Sequence, residues 1–119
     1  MLLKYRNDYE KVAMGLLSLI PDFKDIHQVN HQLEWYQQSD KRELFLYKNE
    51  FDNIVGIVGS ENMEQYVLLR LIALTPQARG QQTSSKILTE LMNIYPIKRL
   101  IGTLDTTEIV EKWEREHGE

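Results

Sequence analysis

Arg79 and Gly80 stand just after a run of apolar residues, and Thr83, Ser84 and Ser85 follow within a few positions, ahead of Ile87 and Leu88. These types at this spacing suit an anion. A helix starting here would point its unpaired backbone N–H groups and the positive end of its dipole at the mouth of the preceding strand. Gly80 lets the backbone approach closely, Arg79 supplies a fixed charge that can fork onto phosphate oxygens, and the hydroxyls add donors in the first turn. The alternative reading is an ordinary glycine-containing turn from strand to helix.

Other chemistry-bearing residues carry less. Arg70 lies amid Leu68, Leu69, Leu71 and Ile72, where an unpaired guanidinium would be costly. It must bind a carboxylate or phosphate on a substrate, or pair with an acid such as Glu43. His27 and His31 are four apart on one helix, but no Glu follows His27 in the metalloprotease pattern, so both read as solvated and no metal is expected. His117 sits in a charged tail and is expected to be mobile. Trp35, Tyr36 and Trp113 read as core or interface aromatics. Glu108, Glu111, Glu114 and Glu116, with Lys112 and Arg115, form a solvated helix face.

The elements that must position the loop follow from periodicity. Residues 2–5 suit a short strand, and Asn7 or Asp8 can cap a helix to about residue 19, with Val12, Ala13, Leu16 and Leu17 on one stripe and Pro21 as its stop. Asp22 or Asp25 opens a second helix with Ile26, Val29, Leu33 and Tyr36 on one face. Residues 44–47 and 54–58 read as an antiparallel hairpin around Asp52 and Asn53, and residues 59–62 as the connection that follows. The longest apolar run, 66–74, is a central strand, with Val67, Leu69, Leu71 and Ala73 on one side and Leu68, Arg70, Ile72 and Leu74 on the other. A helix carrying Ile87, Leu88, Leu91 and Met92 ends near Pro96, and residues 98–104 supply a strand. That order is a crossover unit, so the two strands should be parallel neighbours. Thr106 or Thr107 caps a last helix.

Composition fits one domain spanning residues 1–119: 42% hydrophobic and 27% charged residues are ordinary for a globular chain. No apolar run reaches the ~20 residues of a membrane span, and the first residues lack a signal-peptide core, so a cytoplasmic protein without a membrane partner is expected. With no cysteine, disulfides and thiolate chemistry are excluded. A net charge of -4 argues against nucleic acid as a partner.

The stretch Pro76-x-x-Arg79-Gly80, entered from a strand and followed by Ile87-Leu88, resembles the pyrophosphate loop of the GNAT superfamily of acyl-coenzyme A N-acyltransferases. Gln82 and Ser84 stand where that loop usually carries small residues. The element order is similar over almost the whole chain and implies an α/β (α+β) truncated GNAT fold. Its mixed sheet would have about five strands, helices on both faces and a splayed central parallel pair. One or two C-terminal strands usual in the family are absent, and a homodimer could cover the exposed sheet edge. Within the superfamily, residues 12–18 with Pro21, Arg70 and the short C-terminus resemble the RibT family of small proteins encoded in riboflavin-biosynthesis operons.

The resemblance implies acetyl-coenzyme A (or coenzyme A) as cosubstrate, with pantetheine contacts at Ile72, Ala73 and Leu74. Pyrophosphate contacts would fall at Arg79, Gly80, Gln82, Thr83 and Ser84, and Arg70 is a candidate for the acceptor, a small-molecule or protein amine. The positions where relatives keep a Glu base and a Tyr acid are Leu68 and Val110 here, leaving Tyr66 and Glu64 as weak catalytic substitutes. Two functions follow: an N-acyltransferase, with a link to riboflavin metabolism, or a non-catalytic coenzyme A-binding or interaction module on the same scaffold.

Overall fold

The computed structural model describes residues 1–80 and 82–117; Gln81 of the loop and residues 118–119 of the charged tail lie outside the described residues. The chain runs β1 (Leu2–Lys4), a 3-10 turn (Asn7–Tyr9), α1 (Glu10–Leu17), α2 (Ile26–Gln37), β2 (Arg42–Lys48), β3 (Ile54–Asn62) and β4 (Tyr66–Leu74). A second 3-10 turn (Pro76–Ala78), α3 (Thr83–Ile94), β5 (Arg99–Gly102) and α4 (Thr107–His117) complete it.

Local chemistry fixes the boundaries. α2 opens at Asp25, whose carboxylate accepts from the Gln28 N–H at 3.0 Å while the Gln28 side chain accepts from the Asp25 N–H at 3.3 Å, a reciprocal capping box. The β2–β3 turn is held by the Asn49 side chain, which accepts from the N–H groups of Phe51 at 2.9 Å and Asn53 at 3.0 Å. Residues 59–62 do not form the connection expected there. They extend β3, because each polar side chain is occupied or buried: Glu61 pairs with Arg70, Asn62 accepts from Lys98, and Ser60 is buried.

The strands lie in the order β1-β2-β3-β4-β5. The first four pair antiparallel, and β5 joins β4 in parallel through α3. Helices cover both faces. α1 and α2 pack Ala13, Leu16, Leu17, Val29 and Leu33 on Leu44, Leu46 and Ile57. α3 and α4 pack Ile87, Leu88, Leu91 and Val110 on Phe45, Val58 and Leu100. Gly59 makes room for the Tyr36 side chain of α2, since a Cβ there would run into the Tyr36 hydroxyl.

β4 departs from simple alternation. Its pairing with β3 steps from Gly59↔Leu71 to Ser60↔Leu69, so Arg70 has no partner and forms a bulge. The extra residue reverses the faces. Val67 and Leu69 join the α3–α4 core, whereas Leu71 and Ala73 join the α1–α2 core, in place of the four sharing one side.

Candidate functional site

β4 and β5 pair from Tyr66↔Arg99 to Leu69↔Gly102 and then part, while β4 continues to Leu74. The gap opens into a cavity of about 540 Å³, within the range of small-molecule sites. Ile20, Asp22 and Phe23 of the α1–α2 connection form one wall, β4 the floor, Arg79 and Ser84 one end, and Asp105, Thr106 and Ile109 the other wall.

Backbone polarity along the floor follows from the ladder. Thr75 N–H donates to Val55 O at 2.9 Å, and antiparallel pairing alternates, so Ala73 and Leu71 also turn their backbone groups to β3. Those of Ile72 and Leu74 face the cleft. Ala73, expected among the contacts, borders the cleft but has its N–H and C=O engaged on the β3 side.

At the loop, Gly80 has φ +80° with open space where a Cβ would sit, and Gln82 caps α3 in the left-handed region at φ 59°. Gln82 is exposed, and the first-turn amides of α3 have no intrahelical partners. Arg79 is exposed, and its Nε donates to the Leu74 carbonyl at 3.2 Å, which holds the guanidinium beside the cleft. The three hydroxyls divide. Thr83 Oγ1 is buried and donates to Ala78 O at 2.9 Å, Ser85 Oγ donates to Glu116 at 3.3 Å, and Ser84 alone of the three borders the cleft.

Arg70 Nη1 meets Glu61 Oε1 at 3.0 Å, and its guanidinium lies 4.7 Å from the Trp35 ring centroid. The partner is therefore Glu61 and not Glu43, which pairs with Lys4 at 3.3 Å, because Glu61 is the β3 acid beside the bulge. Arg70 still borders the cleft. Tyr66 and Glu64 do not: they sit at the opposite end of β4, where Tyr66 pairs with Arg99, about 16 Å along the strand from Leu71. Leu68 and the buried Val110 offer no proton-transfer group.

His27 and His31 are exposed, and no cluster of metal-ligating side chains occurs among the described residues. His117 is not in a loose tail. It ends α4, stacked 5.5 Å from the Trp113 ring, and the Trp113 indole N–H donates to Thr89 at 3.0 Å.

Sequence reasoning missed three cleft residues. Thr106 and Asp22 were read only as candidate helix caps, and Asp105 was not singled out. Both aspartates reach the cleft rim, and among the described residues neither has an ion-pair partner. Acidic residues at the ends of elements whose apolar neighbours point inward were the available signal.

No protein-family model matches the chain. A Bacillus methanolicus protein described as an uncharacterized N-acetyltransferase encoded in the lysA 3' region is 37% identical over 119 residues, covering 99% of this chain and 98% of that one. An aminoglycoside N-acetyltransferase solved with a coenzyme A bisubstrate analogue superposes with a TM-score of 0.74 at 12% identity, covering 98% of this chain and 87% of that one. A ribosomal-protein-alanine N-acetyltransferase from Brucella melitensis gives 0.69 at 13% identity, covering 98% and 89%. A spermidine N-acetyltransferase chimera built in part from the Vibrio cholerae enzyme gives 0.70 at 11% identity, covering 97% and 79%.

Proposed function

The chain belongs to the GNAT superfamily of N-acetyltransferases, and from that premise we propose that it moves the acetyl group of acetyl-coenzyme A to an amine in the cleft between β4 and β5. One observation carries the reading: β4 and β5 separate after Leu69 and Gly102, so the backbone groups of Ile72 and the N–H of Leu74 face a cavity instead of a strand, the Leu74 carbonyl being held by Arg79. An extended pantetheine arm carries amides at the right intervals to pair with such an edge. Its pyrophosphate would then reach the loop and take the amides of Gly80, Gln82, Thr83 and Ser84 and the Arg79 guanidinium as its donors.

In the transfer, the amine lone pair attacks the thioester carbonyl, a C–N bond forms, the C–S bond breaks and the thiolate leaves. An acceptor that arrives as an ammonium first gives one proton to solvent to free that lone pair, and the nitrogen then sheds a second as the thiolate gains one. Positioning supplies most of the effect, since holding two reactants in line can replace about 7–11 kcal/mol of barrier. Asp22 and Asp105 at the rim favour a cationic acceptor, which an amine is at neutral pH. A small-molecule amine fits, as the names of the aminoglycoside and spermidine enzymes suggest. A link to riboflavin metabolism rests on the RibT resemblance of residues 12–18, Pro21 and Arg70. This reading treats residues 1–119 as one cytoplasmic domain; among the described residues no helix is long and apolar enough to cross a membrane. A second subunit would sit at the outer edge of β5, flanked by exposed Ile97 and Leu104.

Leu68 and Val110 favour a second reading, a coenzyme A-binding module without turnover. A thiol-release assay with acetyl-coenzyme A over an amine panel that includes polyamines, amino sugars and amine-bearing flavin precursors separates the two. Thiol release dependent on amine is expected; saturable coenzyme binding without release on any amine would leave the module.

A further inference from the structure

Thr106 stands where the next rung of the β4–β5 ladder belongs. Arg99 N–H donates to Gln65 O at 3.1 Å, and the pair Tyr66↔Arg99 advances in step to Leu69↔Gly102. Rungs of this kind recur every second residue in a parallel pair, so after Ile101 N–H to Val67 O the following one would join Thr103 N–H to Leu69 O. That bond is not made directly. Thr103 N–H donates to Thr106 Oγ1 at 2.8 Å, and Thr106 Oγ1 donates to Leu69 O at 2.8 Å. One hydroxyl is inserted into one rung, and Thr106 is only 5% exposed.

The surroundings are cut to fit it. A Cβ on Gly102 would lie 2.9 Å from Thr106 Oγ1 and 3.0 Å from the Thr107 Cα, so a side chain there would displace the hydroxyl or the start of α4. Thr106 O also accepts from Val110 N–H at 3.1 Å, which ties the inserted residue to the first turn of α4. The hydroxyl satisfies both backbone groups left by the missing rung, and buried groups of this kind are costly to orphan.

We propose that Thr106 is the wedge that opens the cleft: its hydroxyl spreads β4 from β5 and so exposes the β4 edge to the coenzyme. The role is one of positioning, not catalysis, and it rests on the reading of the cleft as the acetyl-coenzyme A site. Without the hydroxyl, Thr103 N–H and Leu69 O are left to pair directly, and the strands zip further toward Ile72.

The test compares Thr106→Ala, which removes the inserted group, with Thr106→Ser, which keeps the hydroxyl. Calorimetric titration with coenzyme A should show at least a tenfold weaker Kd for Thr106→Ala and a Kd within about twofold of wild type for Thr106→Ser. KM for acetyl-coenzyme A should rise more than kcat falls. A crystal structure of Thr106→Ala should show Thr103 N–H bonded directly to Leu69 O. Should Thr106→Ala fail to fold, Gly102→Ala displaces the same hydroxyl and should weaken coenzyme binding likewise. Wild-type affinity in a folded Thr106→Ala or Gly102→Ala, or an unchanged gap between the strands in the Thr106→Ala crystal, would overturn the wedge. If wild type itself binds no coenzyme A, the function proposed above fails, and the Thr106→Ala crystal still decides whether the hydroxyl holds the strands apart.

Discussion

Leu69 and Leu71 stand two residues apart on β4 yet point into different cores, Leu69 toward α3 and α4 and Leu71 toward α1 and α2. The bulge at Arg70 causes the reversal, and it lies beside the point where β5 departs. It also turns the backbone edge at Ile72 and Leu74 toward the cleft.

The pair that flanks the bulge is an anchor of modest strength. Arg70 and Glu61 are both partly exposed, so solvent screens their attraction, and pairs of this type contribute about 0.2–1 kcal/mol. A double-mutant cycle with Arg70→Ala and Glu61→Ala, read by urea denaturation, should give a coupling energy of that size. Arg70→Ala should cost more than Glu61→Ala, because it also loses the stack on Trp35. Equal single-mutant costs would show that the stack contributes nothing.

Gln82 holds a left-handed backbone at φ 59°, which costs a residue with a side chain roughly 1–2 kcal/mol relative to an unstrained conformation. Gln82→Gly should therefore raise stability by about 1 kcal/mol, or Tm by about 4 °C, while coenzyme affinity is kept or improved. A fall in Tm would mean that the Gln82 side chain contributes contacts outweighing the strain.

Gly59→Ala places a methyl against the Tyr36 hydroxyl and 3.0 Å from Leu71 Cγ, inside a packed core. Thermal unfolding should report a loss of about 1–3 kcal/mol, and Tyr36→Phe in the same chain should recover part of it. No recovery would shift the blame to Leu71.

Alkaline pH should weaken the fold. Burial pushes the Tyr36 phenol well above its usual 10.0, against a partly offsetting pull from Arg70, and burial also raises Tyr5, Tyr47 and Tyr95. Below 10.0 these phenols are protonated in both states and stability is full. Above it the unfolded chain gives up protons that the native state keeps, so the unfolding free energy falls as pH rises toward the native values. Urea midpoints measured from about pH 8 to about pH 11 should drop only above about pH 10, and Tyr36→Phe should drop less steeply. An identical slope in the variant would remove Tyr36 as a contributor.

The fold was largely legible because its elements carry strong local signals: the apolar stripe of α1, the Asp25 cap, and the crossover from residues 66–74 through α3 to β5. The loop was legible from Arg79 and Gly80. What failed depended on tertiary pairing. Nothing in the run Leu68-Leu69-Arg70-Leu71-Ile72 distinguishes a bulge from steady alternation, because both faces of β4 are covered. Likewise, Glu61 could be matched with Arg70 only once β3 was known to extend through residues 59–62. Thr106 reads as a cap from sequence, since the same threonine types serve both uses, and only the β4–β5 register reveals the inserted rung.

The central claim, that the cleft and the Arg79-Gly80 loop cradle acetyl-coenzyme A, is tested most directly by calorimetric titration of the chain with coenzyme A. Wild type should bind one equivalent per chain with a Kd between about 1 μM and 1 mM, the usual span for an enzyme's substrate. The Arg79→Ala, Gly80→Trp double variant should lose at least tenfold, since it removes charge-assisted bonds to phosphate and fills the open space at Gly80, while its circular dichroism stays native. No heat from wild type, or equal affinity in a folded double variant, would contradict the account.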